Sequence, residues 1–113
     1  MTVIGAYAFS DCSSLSSISL PTGLITIGYN AFSNCVLLES VFIPYGVKNI
    51  GSEAFSGCVK LKEINIPENT SNIGLDVFLD CDYSILVITI VIGSYADSWS
   101  CDYGDYRINY VYY

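Results

Sequence analysis

The sequence predicts a repeat solenoid, in which short coils stack on one another and equivalent strands form a parallel sheet along the stack. Three observations lead there. The stretch Ile4-Gly5-Ala6-Tyr7-Ala8-Phe9-Ser10-Asp11-Cys12 returns in kind at Ile27, Ile50 and Ile73, always after 23 residues. Phe9, Phe32, Phe55 and Phe78 keep the same step, as do Pro21, Pro44 and Pro67. The residues before each proline alternate apolar and polar with period two, the mark of a half-buried strand. Self-similarity at a fixed period means stacked units, because one such unit cannot bury its apolar edge alone.

Within each unit the strand comes first: Leu15-x-x-Ile18-x-Leu20, Leu38-x-x-Val41-x-Ile43 and Leu61-x-x-Ile64-x-Ile66. A turn follows at Pro21-Thr22-Gly23, Pro44-Tyr45-Gly46 and Pro67-Glu68-Asn69. Proline presets the turn dihedral and ends strand pairing, and Gly or Asn tolerates the tight backbone. A second apolar pair, Leu24 with Ile27 and Val47 with Ile50, predicts a second short strand. Ile-Gly then leads into Ala-Phe-x-x-Cys, where residues three apart share a face if the segment makes one helical turn. Stacked units place equivalent strands about 4.8 Å apart. The last repeat departs from the pattern. After Cys81 the run to Ile90 lacks the Leu expected at 84 and the Pro expected at 90. Its register is open by a residue or two, and a slip of one exchanges its faces.

The strand Leu-x-x-Ile-x-Leu-Pro followed by Ile-Gly-x-x-Ala-Phe-x-x-Cys resembles the BspA-like leucine-rich repeats over roughly residues 2–90. The resemblance implies a right-handed leucine-rich repeat solenoid, with short helical turns and second short strands opposite the main sheet. It also implies a surface-exposed or secreted protein associated with adhesion to host proteins, matrix or neighbouring cells. Gly93-Ser94-Tyr95-Ala96-Asp97, Gly104 and the alternating run after it resemble the segment that closes such arrays.

The expected organisation is therefore an array over 1–92, about four coils with the first incomplete, and a C-terminal cap over 93–113. In the cap, Ser94 suits a helix N-cap and Gly104 its C-terminus, giving a helix over about 94–103. Tyr95, Ala96, Trp99 and Tyr103 fall on one face of that helix, with Trp99 the anchor over the last coil. A strand over about 106–112 follows. Nothing comparable covers the first coil, so the chain reads as the C-terminal portion of a longer array. Self-association through that coil is the alternative, since open strand edges and core ends invite it.

Composition narrows the function. The chain has 113 residues, 52% hydrophobic and 13% charged, which suits one packed domain and not disorder. Four basic residues against eleven acidic ones give a net charge of −7. Nucleic acid needs a Lys/Arg footprint and anionic membrane a basic patch, so neither is an expected partner. No apolar run reaches the ~20 residues of a membrane helix, and no leader is visible. Histidine is absent, which removes Ser-His-Asp and Cys-His chemistry and the commonest zinc ligand. No enzyme, metal or cofactor is expected.

Cys12, Cys35, Cys58 and Cys81 recur with the repeat and form one column. Their spacing lies inside the disulfide window, but side chains pointing together into a packed core favour reduced, structural thiols. Cys101 stands outside the column, opposite Trp99 on the expected cap helix. Asp80 and Asp82 belong to an acidic end with no calcium-loop or glycosidase pattern, and Asn69-Thr70-Ser71 is a glycosylation triplet in a turn. The informative surface is the outward side of the strand ladder: Ser17 and Ser19, then Ser40 and Phe42, then Glu63 and Asn65. Phe42 is an aromatic on a small polar face, the composition of a binding hot spot, and Glu39 and Lys62 flank it. The expected function is non-catalytic binding of a protein or glycan by this face. The alternative is a structural cap or spacer with no ligand of its own.

Overall fold

The computed structural model describes residues 2–91, 94–96 and 109–112, with side chains given for Tyr110 and Val111 alone in the last segment. It is a parallel β-solenoid with two sheets. The first sheet stacks the second short strands: β1 (Val3–Ile4), β2 (Thr26–Ile27), β4 (Asn49–Ile50) and β6 (Asn72–Ile73), in that order. The second stacks β3 (Ser40–Val41), β5 (Glu63–Asn65), β7 (Val87–Ile90) and β8 (Asn109–Tyr112). Ser17 joins β3 through a single parallel bridge to Ser40. Every strand pair is parallel.

Period-two alternation makes these strands half-buried. In β5, Glu63 is exposed and Ile64 buried; β7 repeats the pattern over Val87–Ile90. Leu24, Ile27, Val47, Leu61 and Ile64 meet between the sheets. The phenylalanines form a ladder through the core, with ring centroids 5.2, 5.3 and 6.0 Å apart from Phe9 to Phe78 and planes within 14° of parallel. Such spacing is what offset stacking at a coil rise near 4.8 Å produces.

The Ile-Gly-x-x-Ala-Phe-x-x-Cys segments differ from a helical turn. Two residues in each stand at positive φ: Tyr7 and Asp11, Asn30 and Asn34, Glu53 and Gly57, Asp76 and Asp80, all between 56° and 72°. A left-handed residue every fourth position breaks a helix into consecutive tight turns. Backbone groups divide their bonds accordingly. Ala31 and Ser33 donate back to Gly28 and Asn30 at 3.2 Å, closing the turns, while Phe32 between them donates across to Ala54 of the next coil at 2.8 Å. Phe and Cys share the buried side as expected, on a backbone that is part turn and part ladder.

The thiol column follows from the same geometry. Cys35, Cys58 and Cys81 donate S–H to the carbonyls of Phe9, Phe32 and Phe55, one coil earlier, at 3.1–3.2 Å. Burial pushes the Cys58 and Cys81 thiols up to about 12, so they remain protonated and unreactive near neutrality.

The last repeat carries one extra residue. Val41 pairs with Ile64, 23 positions on, but Ile64 pairs with Ile88, 24 on. The extra residue fits into a turn at Asp82, whose carboxylate accepts bonds from the Ser84 hydroxyl at 2.6 Å and its backbone N–H at 3.0 Å. These bonds hold the exposed Asp82 carboxyl below its ordinary range. Asp82 is thus a turn-former.

At the C-terminal end, β8 pairs with β7 from Asn109 to Tyr112. Tyr95 and Ala96 are helical. Ala96 is fully buried while Tyr95 is 43% exposed, so the two do not share the inward face expected of them. Adjacent residues on a helix point roughly 100° apart, which separates them. The Ser94 hydroxyl donates to the Val91 carbonyl at 2.5 Å. Trp99, Tyr103, Gly104 and Cys101 lie outside the described residues, as does most of the expected cap helix.

Candidate binding face

The second sheet turns its outward residues to solvent in two columns. Ser17, Ser40, Glu63 and Val87 form one, linked through the register of the strands. Asn65, Thr89 and Val111 belong to the other. Phe42 follows the end of β3 and is 74% exposed, the highest value of any large apolar side chain among the described residues. A shallow groove of about 280 Å³ lies beside it, lined by Ser40, Val41, Phe42, Glu63, Ile64, Asn65 and Thr89. Four of the six residues expected to face a ligand therefore surround one depression. Ser17 and Ser19 are exposed one coil earlier and do not line it.

Asn65 has a second task. Backbone pairing between β3 and β5 ends at Val41 and Ile64. Beyond that point the Asn65 amide substitutes for a strand. Its Oδ1 accepts the Ile43 N–H at 2.7 Å, and its Nδ2 donates to the Ile43 carbonyl at 3.0 Å. The grip fixes the backbone next to Phe42 and so presents that ring, leaving Asn65 less free for a ligand than its outward position suggests.

Charge sits at one side. Lys62 and Glu39 approach to 3.4 Å with both side chains more than half exposed; a pair so solvated contributes about 0–1 kcal/mol. Glu63 has no ion-pair partner among the described residues, so an uncompensated carboxylate borders the groove.

Thr89 was not anticipated. A strict 23-residue step assigns the outward positions of the last strand to 86 and 88, whereas both Leu86 and Ile88 are fully buried. The signal was present in Val87-Ile88-Thr89-Ile90, where only one phasing puts threonine outside. Among the described residues no cluster of His, Cys, Asp or Glu could hold a metal ion. No helix there is long and apolar enough to cross a membrane.

Comparison with known proteins agrees with this architecture. The family model for the BspA type leucine rich repeat region matches residues 1–98 in six copies. The crystal structure of a leucine-rich repeat protein from Bacteroides ovatus superposes with a TM-score of 0.85 at 28% identity, over 99% of this chain and 28% of that one. The T. pallidum leucine rich repeat protein gives a TM-score of 0.64 at 25% identity, over 78% of this chain and 51% of that one. The chain thus spans between about a quarter and a half of those proteins. No curated protein matches it in sequence.

Proposed function

The chain belongs to the BspA-type leucine-rich repeat family, and from that premise we propose that it is a non-catalytic, adhesion-type module that binds a protein ligand through the second sheet. One observation carries this reading: an aromatic ring 74% exposed at the edge of a polar-rimmed groove. An exposed aromatic costs solubility and gains energy when a partner covers it, which is why such rings dominate interfaces. The outward columns give Phe42 neighbours that suit a protein surface: hydroxyls at Ser40 and Thr89 and a carboxylate at Glu63. The net charge of −7 favours a basic partner through steering. Placement at a cell surface follows the family's habit.

The test compares wild type with Phe42→Asp on immobilised matrix proteins and a glycan panel, with folding checked by circular dichroism. Protein binding lost in the folded variant supports the proposal. Binding to glycans alone through Phe42 replaces the ligand class. No binding by either protein favours a structural spacer with no ligand of its own.

A further inference from the structure

The first sheet carries a depression of its own, larger than the one beside Phe42, at about 410 Å³. Its shape follows from the repeat. Gly28, Gly51 and Gly74 stand in its lining, each preceded by a buried isoleucine. The residues two positions before them, Thr26, Asn49 and Asn72, build one wall; the other contains Tyr29 and Ser52. The glycines admit no side chain because the backbone of the preceding coil stands against them. A Cβ on Gly28 would stand 2.6 Å from the Ala6 nitrogen, and one on Gly51 2.5 Å from the Tyr29 nitrogen. The result is a trough across three coils, with Tyr95 also in its lining.

Its chemistry differs from that of the second sheet. No charged side chain lines it, in a protein whose net charge is −7. One wall is an amide ladder: Asn72 Nδ2 donates to Asn49 Oδ1 at 2.8 Å, and Asn49 Nδ2 donates to Thr26 Oγ1 at 3.0 Å. These bonds fix the amide planes and leave each with spare capacity. An amide has two N–H donors and a carbonyl with two lone pairs, and the ladder uses at most one of each per residue. Phenol rings complete the lining. Tyr29 and Tyr95 are 50% and 43% exposed, and Tyr7 packs against Tyr29 with the ring planes tilted by 60° and centroids 5.3 Å apart.

We propose that this trough is a second binding site, one that takes a neutral glycan chain. Vicinal sugar hydroxyls each donate and accept, which matches preorganised amides offering both. The C–H faces of a sugar ring pack on exposed phenol rings, and an uncharged lining selects neither cations nor anions. An added peptide strand needs an open sheet edge, whereas the trough presents a sheet face. The proposal does not depend on the role of Phe42.

Calorimetric titration with neutral hexasaccharides of glucose, mannose and N-acetylglucosamine tests it, with NMR of the side-chain amides as the local readout. The expected result is binding of at least one, with shifts at the Asn49 and Asn72 amide groups. Tyr29→Ala and Asn72→Ala, both at exposed positions, should each weaken it about tenfold or more while circular dichroism stays unchanged. Phe42→Asp should leave it intact. Failure of all three sugars to bind at millimolar concentration overturns the proposal. So does binding that ignores Tyr29 and Asn72, or that disappears with Phe42→Asp, or a trough that takes peptides in place of sugars.

Discussion

The first coil and the third contain the same pattern and meet different surroundings. Leu61, Ile64 and Ile66 are no more than 2% exposed, while their counterparts Leu15, Ile18 and Leu20 are only partly buried. Phe55 lies between Phe32 and Phe78 in the ring ladder, whereas Phe9 stacks on Phe32 alone. A residue in this architecture takes its burial from the coils on both sides, so one motif has two energies depending on its place in the stack.

The largest expected effect is at the ring ladder. Phe55→Ala should cost about 3–5 kcal/mol by leaving a cavity between two coils. Phe9→Ala should cost about 1–2 kcal/mol, because that ring already meets solvent. Urea denaturation of both variants measures the difference. Equal losses would mean that coils do not share their burial in the way the stack implies.

Glycine gives the next contrast. Gly51→Ala sets a methyl against the Tyr29 backbone, and backbone cannot yield as a side-chain tip does. A loss of about 1–3 kcal/mol is expected. At Gly5 an added Cβ meets nothing within 4 Å, so Gly5→Ala should fall within about 0.5 kcal/mol of wild type. Thermal melts of the two variants decide whether the glycine column serves coil packing.

The cysteine column separates the coils by reactivity. Cys58 is fully buried and Cys12 only partly so. Under native conditions iodoacetamide should modify Cys12 well before Cys58, as read by peptide mapping. Cys58 also couples stability to pH. Its folded thiol is raised to about 12 from an ordinary value of 9.0, chiefly by burial. The stability it contributes is full below about pH 9 and is lost as pH rises toward 12. A Cys58→Ala variant should show a shallower alkaline decline than wild type.

The same contrast explains what was readable in advance. The step of 23, the two sets of strands and the inward Phe, Ile and Leu columns followed from periodicity, because burial imposes that periodicity. The turns did not. Phe32 and Cys35 have a spacing that a helix shares with two consecutive tight turns, so their burial alone cannot distinguish the two. The distinguishing sign was Asp11, Asn34, Gly57 and Asp80, a column of residue types that tolerate positive φ. The groove around Phe42 was legible as an outward face, but Asn65's hold on Ile43 depends on where backbone pairing stops, which alternation does not encode. The trough was not legible at all. Thr26, Asn49 and Asn72 keep the step of 23, but their hydrogen-bond ladder exists only once the coils are stacked.

The smallest prediction concerns the other left-handed column, where the coils differ in how well their residues suit the backbone. Tyr7, Asn30, Glu53 and Asp76 all have φ between 56° and 60°. Asn and Asp enter this region more readily than other residues with a Cβ, whereas Tyr and Glu bear a penalty of about 1 kcal/mol. Glu53→Asn should therefore stabilise the third coil by up to about 1 kcal/mol, seen as a small rise in the urea midpoint at constant slope. Tyr7→Asn relieves the same strain in the first coil but removes the ring that steadies Tyr29, so its gain should be smaller. A gain at Tyr7 equal to that at Glu53 would mean the Tyr7–Tyr29 contact contributes nothing, and the preorganisation of that wall of the trough would have to come from the amide ladder alone.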